Sequence, residues 1–217
     1  MPRKPKSQPV SRARKVAALP PPIDPPPRPT KEQLAAAVKL RVPDLVTPRC
    51  RVLFCGINPG LYTAAIGYHF GRPGNRFWPS LYRGGFTPRQ LQPNESPLLL
   101  QLGYGIINMV DRPTVAADEL TPDELRAGAK KLMRKLRRWQ PAWLAVLGVT
   151  SFRVAFERPK AVLGEQPEPI ADTRVWVLPN PSGLNAHHQL PDLERMFRAL
   201  RKRVEATAGK GATRNDL

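Results

Sequence analysis

Short, almost wholly apolar runs alternate along this chain with segments of helical period, and that alternation limits the fold more than any other feature. "RVLFCG" (51–56), "YGII" (104–107), "AWLAVLG" (142–148) and "TRVWVLP" (173–179) have strand length and no polar alternation, as strands covered on both faces do. Helix signals lie between them. Thr30 with Gln33 forms a capping box ahead of Leu34, Ala37 and Val38, and Pro43 is the stop. "NRFWPSLYRGGF" (75–86) puts Phe77, Leu81 and Tyr82 on one helical face and ends at Gly84 and Gly85. A short helix ahead of Gly103 leads into the strand at 104–107. Thr121, Pro122 and Glu124 open a helix in which Leu125, Ala129, Leu132, Met133 and Leu136 recur at helical spacing. Its opposite face, Lys130, Lys131, Arg134, Lys135, Arg137 and Arg138, reads as a solvated surface. "TSFRVAF" (150–156) and the spacing of Leu193, Met196, Phe197, Leu200 and Val204 complete the set. The expected class is α/β, a three-layer α/β/α sandwich around a mostly parallel central sheet, in a single domain over 30–208. In such sheets sites form beyond the carboxyl ends of the strands.

Charge narrows the partner. The 217 residues carry 35 Lys plus Arg against 17 Asp plus Glu, a net +18, a balance that draws polyanions and contributes little to folding. Nucleic acid is the leading partner class, ahead of anionic lipid or a merely soluble basic surface. Residues 1–29 hold ten of the 27 prolines, seven Lys or Arg and one acid, which predicts a disordered or polyproline-II arm acting as a solubilising tail or as a phosphate tether. Residues 209–217 are expected to form a frayed C-terminal tail. No apolar run approaches the roughly 18 residues that span a bilayer, and no apolar signal core follows the N-terminus, so a cytoplasmic protein with no membrane contact is expected. Cys50 and Cys55, the only cysteines, stand about 16 Å apart on an extended strand, beyond disulfide reach. They cannot supply an iron–sulfur cluster, and no Cys/His set has zinc spacing, so neither a metal nor a cofactor is expected.

Two strand-end loops stand out, "GINPG" (56–60) and "PNPSGLN" (179–185), with a third, "NMVDRPT" (108–114), after the strand at 104–107. Each Asn-Pro loop presents one amide and several backbone N–H groups on a proline-stiffened turn. "GLYTAAIG" lacks the Gly-Lys-Ser/Thr of a phosphate-gripping loop. Ser182 lies in "NPSGL", which is no nucleophile elbow, and His187 and His188 read as loop surface.

"GINPG", "HFGRPGNRFW", "VDRPT" and "LPNPSGLN", in this order and spacing over residues 50–205, resemble the mismatch-specific uracil/thymine DNA glycosylase family within the uracil-DNA glycosylase superfamily. The resemblance implies a uracil-DNA glycosylase-like fold and a base flipped from duplex DNA into a pocket. It implies that Phe70 stacks on the base. The backbone at Gly56 and Ile57 forms the pocket floor, and Asn180 faces the base. Asn58 holds the attacking water, which an amide can orient but hardly deprotonate, so slow catalysis is expected. Leu184 wedges into the vacated stack while backbone near Gly183 and Asn185 contacts the orphaned guanine. Gly60 stands where uracil-specific relatives place a tyrosine, which implies tolerance of bulk at the pyrimidine C5.

Asp111, the lone carboxylate of the pocket-facing motifs, is an independent candidate for a catalytic role. Pairing with Arg112 or capping the turn before Pro113 are its alternatives. The expected activity is that of a monofunctional, monomeric hydrolase of N-glycosyl bonds. It removes uracil, and other pyrimidines including thymine or adducted cytosine, chiefly opposite guanine in double-stranded DNA. The rival is a non-catalytic basic module that senses mismatched or flipped bases.

Overall fold

A side-chain period of two along each strand divides the core into two halves. In the computed structural model, which describes residues 19–212, four strands run parallel: β1 (Val52–Gly56), β2 (Tyr104–Asn108), β3 (Trp143–Leu147) and β5 (Arg174–Leu178). The two-residue β4 (Gly164–Glu165) pairs antiparallel with β5 at the edge, giving the order β2-β1-β3-β5-β4. On one face Leu53, Cys55, Ile107, Leu144, Val146, Val175 and Val177 meet α5 (Pro122–Trp139) through Leu125, Ala129, Leu132 and Leu136, and α6 (Val149–Ala155) through Phe152. On the other, Val52, Phe54, Ile106, Ala145, Leu147 and Leu178 meet α3 (Phe77–Arg83), α4 (Leu98–Gln101) and α7 (Leu190–Ala212). Helices on both faces of a mostly parallel sheet are the predicted three-layer α/β/α sandwich.

Phe54 is the hub of the second face. Its ring is 5.3–6.4 Å from those of Phe77, Phe86, Tyr104 and Phe197, and it is fully buried. Aromatic pairs of this kind add about 0.5–1.5 kcal/mol beyond the area they remove from water.

The capping boxes form as read. Thr30 N–H donates to Gln33 Oε1 (2.8 Å) and Gln33 N–H to Thr30 Oγ1 (3.2 Å), and Thr121 and Glu124 repeat the exchange at α5. The first helix is shorter than its apolar spacing suggests. α1 spans Lys31–Ala36 and tightens into a 3₁₀ turn over Ala37–Lys39. The helix α2 (Leu61–Ile66), capped by Gly60, had no sequence signal beyond the glycines that bound it.

Of the predicted arm, residues 1–18 lie outside the described residues. Residues 19–29 carry neither helix nor strand, yet they lie against the domain. Leu19 packs on the second core face. Arg89, in a two-pronged pair with the buried Glu95 (2.7 and 2.9 Å), also donates to the Pro20 carbonyl at 2.8 Å. Asn94 Nδ2 donates to the Asp24 carbonyl at 2.8 Å. At the other end α7 runs through 209–212, into the expected tail; residues 213–217 are outside the described residues. Cys50 and Cys55 are free and buried; burial raises the Cys50 thiol to about 11 and the Cys55 thiol further, so neither is a thiolate at neutral pH. No described helix is long and apolar enough to cross a membrane.

Because Phe54 is fully buried against four aromatic neighbours, Phe54→Ala is expected to lower the unfolding free energy by about 3–5 kcal/mol. Urea titration followed by tryptophan fluorescence measures it.

Candidate functional site

The pairing of β1 with β2 continues past the strand ends. Met109 N–H donates to the Gly56 carbonyl and Val110 N–H to that of Ile57, both at 2.9 Å. Thr114 N–H then donates to the Pro59 carbonyl and Leu61 N–H to that of Thr114, both at 3.1 Å. This laces the "GINPG" loop to the "VDRPT" loop and leaves the Asn58 side chain between them. Asn58 Nδ2 donates to the Arg112 carbonyl at 2.9 Å and to Thr114 Oγ1 at 2.7 Å. Both amide protons are thereby engaged, while Asn58 Oδ1 accepts from no described group. Arg112 is in turn held by Glu124, at 2.6 and 3.0 Å, and by the Glu119 carbonyl. The guanidinium beside Glu124 holds that carboxyl down at about 2.

Asn58 lines a cavity of about 510 Å³ at the carboxyl ends of the parallel strands, together with Gly56, Ile57, Phe70, Asn108, Asn180, Leu184 and Asn185. The two Asn-Pro loops therefore face one space. Phe70 has its ring 4.1 Å from that of Phe77, stacked at 24°. Its backbone is left-handed (φ 53°), a conformation costing a non-glycine residue about 1–2 kcal/mol, and strain of this kind collects at functional sites. The floor is tight: a Cβ on Gly56 would lie 2.6 Å from Asn108 Oδ1 and 3.2 Å from the Phe70 ring, so only glycine fits there.

Asn108, which the sequence reading did not single out, ends β2 as a buried amide inside the cavity. Its orientation follows from a relay. The Pro43 carbonyl can only accept, so the 2.9 Å contact puts the proton of His69 on Nε2; Nδ1 then accepts from Asn108 Nδ2 at 3.4 Å. Burial lowers the His69 pKa below its ordinary 6.5 and favours this neutral tautomer. Asn108 is left with Oδ1 and one N–H for the cavity. The only hints of it in the sequence are one polar residue closing an apolar run and one histidine beside Phe70.

The second Asn-Pro loop is shaped from within. Asn180 Oδ1 accepts the Ser182 N–H at 3.0 Å, an Asx turn that leaves Nδ2 free beside the cavity. Arg76, also unnoticed in the sequence, reaches under the loop. Its guanidinium donates to the carbonyls of His188 (2.6 Å), Asn185 (2.7 Å) and Ser182, and its backbone N–H to that of Pro181 (2.9 Å). Leu184 stands out at the tip, 63% exposed. Gly183 lies just outside the lining, where a Cβ would come 2.8 Å from the Gly74 carbonyl. Asn185 turns inward: its Nδ2 donates to the Asn180 carbonyl, its Oδ1 accepts the His187 N–H, and its own N–H donates to Ser182. It keeps the loop's shape and presents none of these groups outward.

Asp111 stands apart from the other predicted residues. It does not line the cavity, and Arg112 does not pair with it; Lys131 on α5 lies 4.0 Å from its carboxylate. The backbone turns it toward α5 while the neighbouring Arg112 carbonyl faces Asn58. No group of three or more His, Cys, Asp or Glu converges among the described residues.

Compared with known protein families, residues 43–214 match the family described as Uracil DNA glycosylase superfamily. The match starts beyond the Pro-rich arm and takes in every strand and each loop that lines the cavity.

Arg76→Ala should free the 180–188 loop, accelerating amide hydrogen exchange at Asn185 at least tenfold while the β-strand amides keep their protection. His69 carries a pH signature. Its folded pKa is depressed, so its contribution to stability is complete above 6.5 and is lost as pH falls through the lowered value. Wild-type protein is expected to lose more unfolding free energy than His69→Gln between neutral and mildly acidic pH, as read by urea titration.

Proposed function

The chain belongs to the uracil DNA glycosylase superfamily, whose members are N-glycosyl hydrolases acting on DNA, and from that premise we propose that it is a monofunctional, mismatch-directed glycosylase. It takes uracil, chiefly opposite guanine, out of duplex DNA and leaves an abasic site. The observation that carries this reading is the set of amides Asn58, Asn108 and Asn180. Each has one end fixed by a protein neighbour, and the other end is turned to a single cavity beside the Phe70 ring.

Each amide suits one task. A pyrimidine flipped into the cavity stacks on the face of Phe70 that Phe77 does not cover. Asn108 meets its edge with an acceptor and a donor, which matches the N3–H and O4 of uracil. Cytosine carries the opposite pattern. To read it Asn108 would have to turn, setting Oδ1 against the lone pair of His69 Nδ1, and an unpaired buried group of this sort costs about 1–3 kcal/mol. Asn180 Nδ2 donates to the O2 carbonyl, where negative charge grows as the base departs, in the manner of an oxyanion hole.

Asn58 Oδ1 accepts a hydrogen bond from the water that attacks C1′; as the water oxygen bonds to C1′ the C1′–N1 bond breaks, the pyrimidine leaves as an anion, and the proton shed by the water passes to solvent. Since Nδ2 is tied to Arg112 and Thr114, the amide cannot rotate, and the water's lone pair is aimed at the sugar. An amide takes no proton, so the 10²–10⁴-fold contribution of a general base is missing and turnover is slow. Thr114 is thereby a positioning residue. Asp111, paired near Lys131 outside the cavity, has no part in the reaction. Leu184 enters the stack in place of the flipped nucleotide, and of the tip residues Gly183 is the one whose backbone can meet the orphaned guanine. With Gly60 and Thr63 on the wall, no large side chain opposes a 5-methyl group there, so thymine and adducted cytosines are secondary substrates.

Single-turnover assays on G·U and G·T duplexes, with alkali cleavage to reveal abasic sites, test the reading. Asn58→Ala is expected to slow excision of uracil about 10²-fold with product-DNA affinity unchanged, and Asp111→Asn to leave the rate within about twofold. Binding of these duplexes without any released base would instead make the protein a sensor of flipped bases.

A further inference from the structure

A second cleft, also of about 510 Å³, opens beside the base cavity and shares Phe70, Arg72 and Asn75 with it. Its far wall is Pro25, Pro26, Pro27 and Arg28, from the segment that precedes the matched family region. That wall is docked by side-chain hydrogen bonds to its backbone carbonyls and by Leu19 packed on the second core face. Asn94 holds the Asp24 carbonyl, and Arg89, locked by the buried Glu95, holds that of Pro20. Proline at three successive positions fixes φ and keeps the segment extended without backbone donors of its own. The lining includes Arg28 and Arg72 and no carboxylate, and neither guanidinium is ion-paired among the described residues. Both are exposed. Tyr62 and the edge of the largely buried Trp78 add aromatic surface to the lining.

An open cleft with two unpaired guanidiniums, aromatic surface and no acid suits a chain of phosphodiesters. Its continuity with the base cavity through Phe70 says which one. We propose that residues 19–28 form a fixed strap, and that the cleft beneath it carries the backbone of the DNA strand bearing the flipped nucleotide, with Arg28 and Arg72 on phosphates next to it. This inference rests on the glycosylase reading for the identity of the strand. It assigns Arg28 a defined phosphate, whereas a loose basic arm would meet any phosphate within reach.

Fluorescence anisotropy with a labelled G·U duplex, repeated over a range of salt, measures binding without requiring excision. Arg28→Ala is expected to weaken affinity about 10-fold and lower the log–log salt slope by about one. Asn94→Ala changes no charge but releases the strap; it should weaken binding nearly as much, and lose much of that slope unit. Deleting residues 1–18, which leaves the strap in place, should leave the Arg28→Ala difference intact. On duplexes progressively shortened on each side of the uracil, the Arg28→Ala penalty is expected to vanish when one flank, and not the other, becomes too short to reach the cleft. An unchanged slope in Arg28→Ala, or wild-type affinity in Asn94→Ala, would overturn the strap. Weakened binding in these variants together with absent uracil release by the wild-type protein would sustain the cleft and overturn the glycosylase reading instead.

Discussion

Hydrogen bonding between β1 and β2 does not stop where the strands stop, and the site depends on that continuation. Four further backbone bonds, from Met109 to Gly56 through Leu61 to Thr114, carry the register of the sheet into the loops beyond it. Loops are ordinarily the mobile part of an α/β domain. Here the loop bearing Asn58 inherits the precision of a strand buried on both faces, and its amide is fixed to a neighbour laced into the same ladder. The proposed mechanism, which aims water without deprotonating it, would need this, since misplacement by about 1 Å can cost 10²-fold in rate.

A second theme is how the protein decides which end of each amide faces the cavity. A carboxamide is nearly symmetric in shape, and its two orientations present opposite hydrogen-bonding patterns. For Asn58 the choice is made by an acceptor pair, the Arg112 carbonyl and Thr114 Oγ1. For Asn180 it is made by the Ser182 N–H. For Asn108 it is passed from the Pro43 carbonyl through a neutral His69, a state that burial of the imidazole favours. In the proposed reading of a base by amides, such outer contacts are as consequential as the residues that touch the ligand.

Much of this was legible in the chain. The apolar runs marked the four parallel strands to within a residue, and Thr30 and Thr121 marked their helix starts. "GINPG" and "PNPSGLN" marked the two loops that share the cavity, with Gly56, Ile57, Asn58, Phe70 and Asn180 on its wall and Leu184 at its mouth. What was not legible has physical reasons. Asp111 is the carboxylate of its motif, yet the direction of a side chain depends on the backbone turn that carries it, and this one faces Lys131 and does not line the cavity. Arg76 carried no local signal that set it apart from the chain's many other cations, while in the fold three carbonyls of a distant loop surround it. The strap was hidden by proline-rich composition, which predicts extension and is silent on what the extended chain lies against.

The sequence alone determined the layer architecture, the strand-end position of the cavity and the absence of a strong base in the Asn-Pro loops, because periodicity, turn chemistry and residue type are local properties. Tertiary structure alone decided which amide atom faces the cavity, which carboxylate is excluded from it and where residues 19–28 rest. Apart from Asn180, which its near neighbour Ser182 orients, each of those outcomes turns on a partner 20 to 70 residues away in the chain, and no local pattern encodes a contact whose other half is so distant.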